Sequence, residues 1–436
     1  MFVDFNKVIG RRNGIVNEII EAYVDDNEPQ VYSFAGKRGF LPWESEDFDT
    51  LNLSGGGGLT KSEALFSCLG EIAERYCSSF INCDEVIEGS FNSLKNGNIL
   101  VDPNDICLFS DQQLKRDRFP FKKFNRDSMI EWVPASSSKH KKDILIPSFL
   151  TYLPYDFFDR GGCYCPSSST GLSCAASFNE AFFKGLLEIV ERDSFTTMWI
   201  NQLAPPKIDI SGIAEFKEIR ERFKFDDIDY NIFDITSVFG VPCVAAFCFG
   251  QASFGYTAAL GLSCAPDYYS AIKKALTECV QARVSVAFHR MKEPQKKYRD
   301  DFLDVLDFKD HSYVYATDEK LKKHVDFLWK SDRTVDLRSL IDDFDSASVK
   351  RETLINRFIS KGFDVMVKDL TTSDIKKTGL NVVRVLVPGM QFLHGIHAYP
   401  FLGNPRIYKP SDLFAWCDNV DSCENDVENF PPHLLG

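Results

Sequence analysis

The sequence predicts an α/β fold that contains an internal helix repeat. Three observations lead there. Segments with helical periodicity alternate with short runs of β-branched and aromatic residues along most of the chain. Three of the helical segments are written in one register. Apolar residues fill 44% of the 436 positions and charged residues 26%, the balance of a chain that buries an ordinary core.

Residues 1–53 are mixed and irregular, with strand-like pieces such as 30–34. The four glycines at 55–58 read as a loop, because glycine is costly inside a regular element. A first helix is expected over 61–79. Short strands and turns fill 84–160, including 131–135 and 144–147. A Gly/Ser/Thr-rich loop at 161–171 leads into a second helix at 178–202. Strands are expected at 230–234 and 242–247, a small loop at 261–263, and a third helix at 268–289. The Lys- and Asp-rich stretch 294–350 reads as surface helices and loops. Strands return at 364–368 and 382–387, and the acidic last twenty residues predict no regular structure.

The repeat compares segments 60–75, 177–192 and 267–283. Each opens on a good N-cap type, Thr60, Ser177 or Asp267. Glu63 and Glu180, three residues on, complete a capping box in the first two. Ala64, Ala181 and Ala271 stand four residues after the cap, and Leu69, Leu186 and Leu276 nine after it. Glu71, Glu188 and Glu278 stand eleven after it, and Glu74, Glu191 and Gln281 fourteen after it. Residues three apart share a helix face, so Glu71 projects with Glu74 and Glu188 with Glu191. A solvated acidic stripe is the ordinary reading of one such pair. Recurrence in register, beside Leu, Ile and Phe positions of buried type, favours hard oxygen ligands around magnesium. The small, hydroxyl-rich stretches before the helices suit a nucleotide phosphate. There is neither a P-loop nor a dinucleotide-binding glycine fingerprint.

Composition excludes other classes. The net charge is −13, and the two short basic clusters, 139–142 and 320–323, each have an acid beside them, so nucleic acid is not an expected partner. Thirteen irregularly spaced cysteines without a CxxC argue against a disulfide framework, and Cys163 with Cys165 is a weak zinc signal. The N-terminus has no secretory pattern, and no apolar run approaches the roughly 20 residues of a spanning helix. A reduced, cytoplasmic protein without membrane insertion is expected.

Taken together, the motifs GLT…EALFSCLGEIAERY, STGLSCAASFNEAFFKGLLEIVERD, ALTECVQAR and RVLVPGMQFLHGIH resemble the YcaO family, over roughly residues 55–410. The segments 13–19 and 199–209 are similar to its azoline-forming, SagD-like cyclodehydratases, the "D proteins" of clusters for ribosomally synthesised and modified peptides, bacteriocins among them. The resemblance implies a YcaO-type fold of mixed β-sheets and packed helices, with an N-terminal extension at 1–53, a catalytic domain at 54–410 and a C-terminal tail at 411–436. It implies ATP and Mg2+ as cofactors, with metal and ATP contacts at Glu71, Glu74, Glu188 and Glu191. It places Ser54, Thr170, Glu278, Gln281 and Arg283 at the nucleotide, and makes the Gly436 carboxylate a candidate catalytic base. Arg75 and Arg192 read as structural partners of the adjacent acids, and His394 and His397 as satisfied structural histidines. The chain departs from the family at Gly57, where many members have Lys, and at Thr170, where many have Asn.

The implied chemistry starts with a Cys, Ser or Thr side chain of a precursor peptide attacking the preceding amide carbonyl. Phosphorylation of the amide oxygen by ATP lets it leave as phosphate, giving a thiazoline or oxazoline. The implied partners are that peptide and a separate E1-like (ocin-ThiF) protein that captures its leader, the chain serving it as a docking scaffold. A flavin dehydrogenase and a homodimer are further options. The alternatives are thioamide or amidine formation on the same fold, and a non-catalytic scaffold or accessory in ribosomal-protein modification.

Overall fold

Three strand–helix units built on the sequence repeat organise the molecule. The computed structural model describes residues 8–10, 14–39, 53–155, 163–224, 226–342, 344, 349–418, 422–427 and 429–436. Strand β3 (Leu53–Gly58) precedes helix α1 (Lys61–Ser78), β7 (Leu172–Ala175) precedes α2 (Phe178–Ile200), and β11 (Gly255–Cys264) precedes α3 (Tyr268–Lys292). The expected caps form. In α1 the box closes both ways: Glu63 N–H donates to Thr60 Oγ1 at 3.2 Å, and Thr60 N–H to Glu63 Oε2 at 3.1 Å. Ser177 and Asp267 cap α2 and α3 through the N–H groups of Glu180 and Ser270. Among the described residues the Glu180 arm of a box is not made.

Each unit strand is the edge of a different sheet. The first sheet runs β1 (Val16–Glu21), β2 (Tyr32–Arg38), β3 and is antiparallel. The second runs β4 (Ile87–Gly89), β5 (Ile130–Ser137), β13 (Met366–Asp369), β14 (Asn381–Leu386), β7, with β6 (Asp143–Pro147) also paired to β5. The third runs β11, β10 (Cys243–Ala252), β9 (Ile228–Asp234), β8 (Lys207–Asp209), β12 (Thr334–Asp336), and only its β8–β12 pair is parallel. The predicted α/β class with mixed sheets and packed helices is what forms.

The glycine run is a strand, not a loop. A Cβ on Gly56 would lie 2.1 Å from Cys68 N and 2.4 Å from Ala64 O, so the backbone of α1 rests directly on β3. The same holds at Gly261, also expected in a loop. A Cβ there would meet Ala275 O at 2.0 Å and Cys279 N at 2.4 Å on α3. In the middle unit the helix supplies the small residue. A Cβ on Gly185 would lie 2.9 Å from Gly171 O, and Ser173 Oγ donates to Ala181 O at 2.5 Å. Close backbone approach offsets the conformational cost that suggested loops.

Two other expectations change. Helix α4 (Phe308–Thr317), inside the stretch read as surface, buries His311, Tyr313, Val314 and Tyr315. Its buried acid Asp310 is neutralised by Lys296 and accepts a hydrogen bond from Tyr298 at 2.9 Å, which lets a charged sequence enter the interior. Among its described residues the last stretch of the chain forms only a 3-10 turn at Glu424–Asp426, yet Phe430, Leu434 and Leu435 belong to the main apolar core. Trp199 Nε1 donates to Pro431 O at 2.8 Å and Tyr315 to Pro432 O at 2.6 Å, so the extended backbone is hydrogen-bonded inside.

The packing predicts opposite responses from two glycines. Gly56→Ala forces β3 away from α1 and should cost about 3 kcal/mol or prevent folding. Gly70→Ala on α1 meets nothing within 4 Å. It should stabilise by roughly 0.5–1 kcal/mol through helix propensity. Denaturant melts of both variants check the pair.

Candidate functional site

The fourteenth residue of each helix meets the next unit three residues before that unit's cap. Glu74 Oε1 accepts from Cys174 N–H at 2.7 Å. Glu191 Oε2 accepts from Cys264 N–H at 2.9 Å. Gln281 closes the ring on Gly57, where a Cβ would lie 2.2 Å from its Oε1. The three units therefore join cyclically, with Glu74 and Glu191 accepting from edge strands and Gln281 packed against the third. A side chain at position 57 would displace Gln281, which accounts for the glycine there.

The eleventh residues bond within their own units. Glu71 Oε2 accepts from Gly55 N–H at 2.9 Å and Glu188 Oε2 from Gly171 N–H at 3.1 Å. Arginines one helical turn on hold the other oxygens: Arg75 lies 3.2 Å from Glu71 Oε1, and Arg192 3.6 Å from Glu188 Oε1 and 3.4 Å from Glu191 Oε1. Lys274 pairs with Glu278 at 3.5 Å. Each of the four glutamates of the two ExxE pairs thus fixes one oxygen on a backbone N–H, and in Glu71, Glu188 and Glu191 the other already faces a guanidinium, a cation that a metal ion can replace or join. That donor set fits Mg2+, which takes oxygen ligands.

Electrostatics ties the helices together. Burial, with Glu188 and Glu71 adding to it against Arg75, pushes the Glu74 carboxyl up to about 8. Burial also raises Glu188, opposed by Arg192, and Glu278, opposed by Lys274. Glu278 and Glu191 hold Lys274 protonated. Yet the side chains of Glu71, Glu188 and Glu278 keep 32%, 24% and 39% of their surface accessible. Glu188 and Glu278 are thus desolvated by surrounding protein yet reachable by water, as groups lining a recess are.

The other predicted residues are placed unequally. Ser54 is buried, with no hydrogen-bond partner for its hydroxyl among the described residues. Thr170 sits in the turn before β7 and its carbonyl is held at 2.9 Å by Arg384, which opens the motif RVLVPGMQFLHGIH but was given no site role from the sequence. Arg384 also grips Ser168 O and Thr151 O, and burial lowers its pKa to about 10 while Glu188 opposes the drop. The signal was present: an arginine inside the apolar strand 382–386 must be paired. Arg283 stands apart from the carboxylates. It is 1% exposed, bonds Glu28 at 3.0 Å and donates to Gly250 O and Thr257 O, so its groups are committed to structure. Gly436 ends beside Ser312 of α4. His433, three residues earlier, lies in the field of Arg192.

His394 and His397 are not satisfied. With His311 they bring ring nitrogens within 4.8 Å of one another. His311 Nε2, both nitrogens of His394 and His397 Nδ1 are buried without a hydrogen-bond partner among the described residues. Burial lowers all three pKa values, that of His397 to about 4. The cysteines are all thiols. No helix among the described residues is long and apolar enough to cross a membrane.

The family model described as YcaO cyclodehydratase, ATP- and Mg2+-binding, matches residues 55–391. The chain belongs to the YcaO family. Solved YcaO-type structures share its fold. A heterocyclase in complex with substrate and cofactor superposes with a TM-score of 0.76 at 24% identity over 99% of this chain, which spans 56% of that one. YcaO from Methanopyrus kandleri bound with AMPPCP and Mg2+ gives 0.59 at 21% identity, covering 86% of each chain. The E. coli microcin synthetase McbBCD complex with pro-MccB17 bound gives 0.59 at 17% identity over 95% of this chain and 96% of that one.

The raised Glu74 pKa predicts a pH dependence for the metal-free YcaO chain. Between its ordinary value of 4.5 and about 8 the folded state binds more protons than the unfolded state. This contribution to stability is full below the lower value and is lost as pH rises through the upper one. Glu74→Gln should therefore match the parent melt at about pH 5 and exceed it at about pH 8.5. Thermal melts in chelator at both pH values test this.

Proposed function

We propose that this chain is an ATP- and Mg2+-dependent cyclodehydratase that converts Cys, Ser or Thr residues of a precursor peptide into azolines. The observation that carries the reading is the carboxylate set itself. Glu71, Glu74, Glu188 and Glu191 each anchor one oxygen on a backbone N–H and leave like charges facing one recess, in a family described as ATP- and Mg2+-binding. When bound, Mg2+ and ATP would supply charge neutralisation and the phosphoryl group that makes an amide oxygen a leaving group.

In this reading the four glutamates hold the metal, while Glu278, Gln281, Ser54 and the Thr170 turn border the nucleotide. Lys274, Arg192 and Arg384 balance the charge of the recess. Their ion pairs and carbonyl contacts fix them in advance, so little reorganisation accompanies the reaction. The Gly436 carboxylate is the proposed acceptor of the attacking group's proton, supported by the buried path of the tail, whose His433 lies in the field of Arg192. Residues 54–410 form the catalytic unit, flanked by 1–53 and 411–436. The proposed setting is the cytoplasm, with a separate leader-binding partner of the E1-like class. Support for a partner comes from the peptide-bound microcin synthetase, itself a complex.

The test incubates the chain with a Cys/Ser/Thr-rich precursor, its leader-binding partner, ATP and Mg2+. Each ring should remove one water from the peptide mass and release one phosphate. Glu191→Gln should lower kcat by about 10²–10³-fold, the usual effect of deleting one charge-stabilising group. Full activity in Glu191→Gln would refute the assigned site. Exchange of oxygen for sulfur in the product would replace the azoline reading with thioamide formation.

A further inference from the structure

We propose that His311, His394 and His397 form a binding site for a divalent transition metal, zinc being the best match, separate from the carboxylate recess. The three residues come from two places: His311 from α4, and His394 and His397 from the segment after β14. Their ligand atoms lie within 4.8 Å of one another. Zinc–nitrogen bonds of about 2.0–2.1 Å put nitrogens roughly 3.3 Å apart on a tetrahedron, so small ring rotations close the site.

Each of the three rings has at least one buried nitrogen without a hydrogen-bond partner among the described residues. A buried ring nitrogen without a partner costs free energy. Here four such atoms sit together, on His311, His394 and His397. The tautomer of His311 is already set. Its Nδ1 lies 3.3 Å from the His433 carbonyl and donates to it, which leaves the lone pair on the unpartnered Nε2. An N–H to carbonyl contact of this kind is the usual support of a metal-bound imidazole.

His433 is a support and not a ligand. Its Nε2–H donates to His394 O at 2.9 Å, and its Nδ1 accepts from Leu435 N–H at 3.2 Å. Its ring stacks on His311 with centroids 3.7 Å apart and planes 10° apart. The tail thereby holds two of the three ligands in place. Phe302 and Phe430 pack beside His397. An all-imidazole set suits zinc, nickel, cobalt or copper and not Mg2+. Three ligands also leave a coordination position open to water or to the side chain of a Cys-containing peptide.

The test uses the full chain, stripped with chelator and reloaded with Zn2+ or Co2+. One equivalent of zinc should survive gel filtration and a large excess of Mg2+, and Co2+ should give the visible absorption of a tetrahedral site. His394→Ala and His397→Ala should each abolish that band, with folding checked by circular dichroism. His397 is only half-buried, so its variant is the milder of the two. His140→Ala and His324→Ala, outside the cluster, should keep the band, as should Glu191→Gln, which separates this site from the proposed magnesium site. Failure to retain zinc would overturn the proposal, leaving the rings hydrated by water. So would displacement by Mg2+, a band unchanged in His397→Ala, or loss of the band in His140→Ala or His324→Ala.

Discussion

The contact from each repeat helix to the next unit's edge strand, a hydrogen bond in two of the three, is the constraint on which the rest depends. An edge strand carries outward N–H groups that must find acceptors when they are covered. Glu74 supplies one for β7 and Glu191 one for β11, while Gln281 lies against β3. These contacts hold three sheets in one cyclic arrangement. They also place the carboxylates of Glu74 and Glu191 at the junctions, where little solvated surface is available. Structure and site are therefore the same set of residues.

That arrangement stores electrostatic tension in the metal-free chain. Glu74 faces Glu188, and Glu191 faces Glu278. Arg75, Arg192, Lys274 and Arg384 relieve part of it, but each is itself held by an ion pair or by carbonyls. A cation with hard oxygen preference resolves the remainder without moving the frame. The close contacts of α1 on β3 and α3 on β11, through Gly56 and Gly261, keep the carboxylates from drifting apart.

The tail adds a second layer of order. It runs through the core without regular structure, bonded to Trp199, Tyr315 and His394. Its His433 stacks on His311 and lies in the field of Arg192. The C-terminus and the three histidines are thus ordered by the same buried segment.

The sequence by itself determined the α/β class, the three helices with their caps, and the paired glutamates, because capping and helical periodicity are local. The motifs carried the family as well. Only the tertiary structure decided what the glycines do. Composition marks Gly55–Gly58 as a loop, and it is the backbone of α1 lying on β3 that makes glycine obligatory in a strand. The same limit hid Arg384, whose three carbonyl partners are far away in the chain, and separated Arg283 from the site through its pairing with Glu28. It also turned two histidines that read as satisfied into members of an unpartnered cluster, since His311 joins them from a stretch that looked like surface. Local pattern states which groups a chain carries. Which of them meet, and which lose their water, depends on contacts between residues that are distant in sequence.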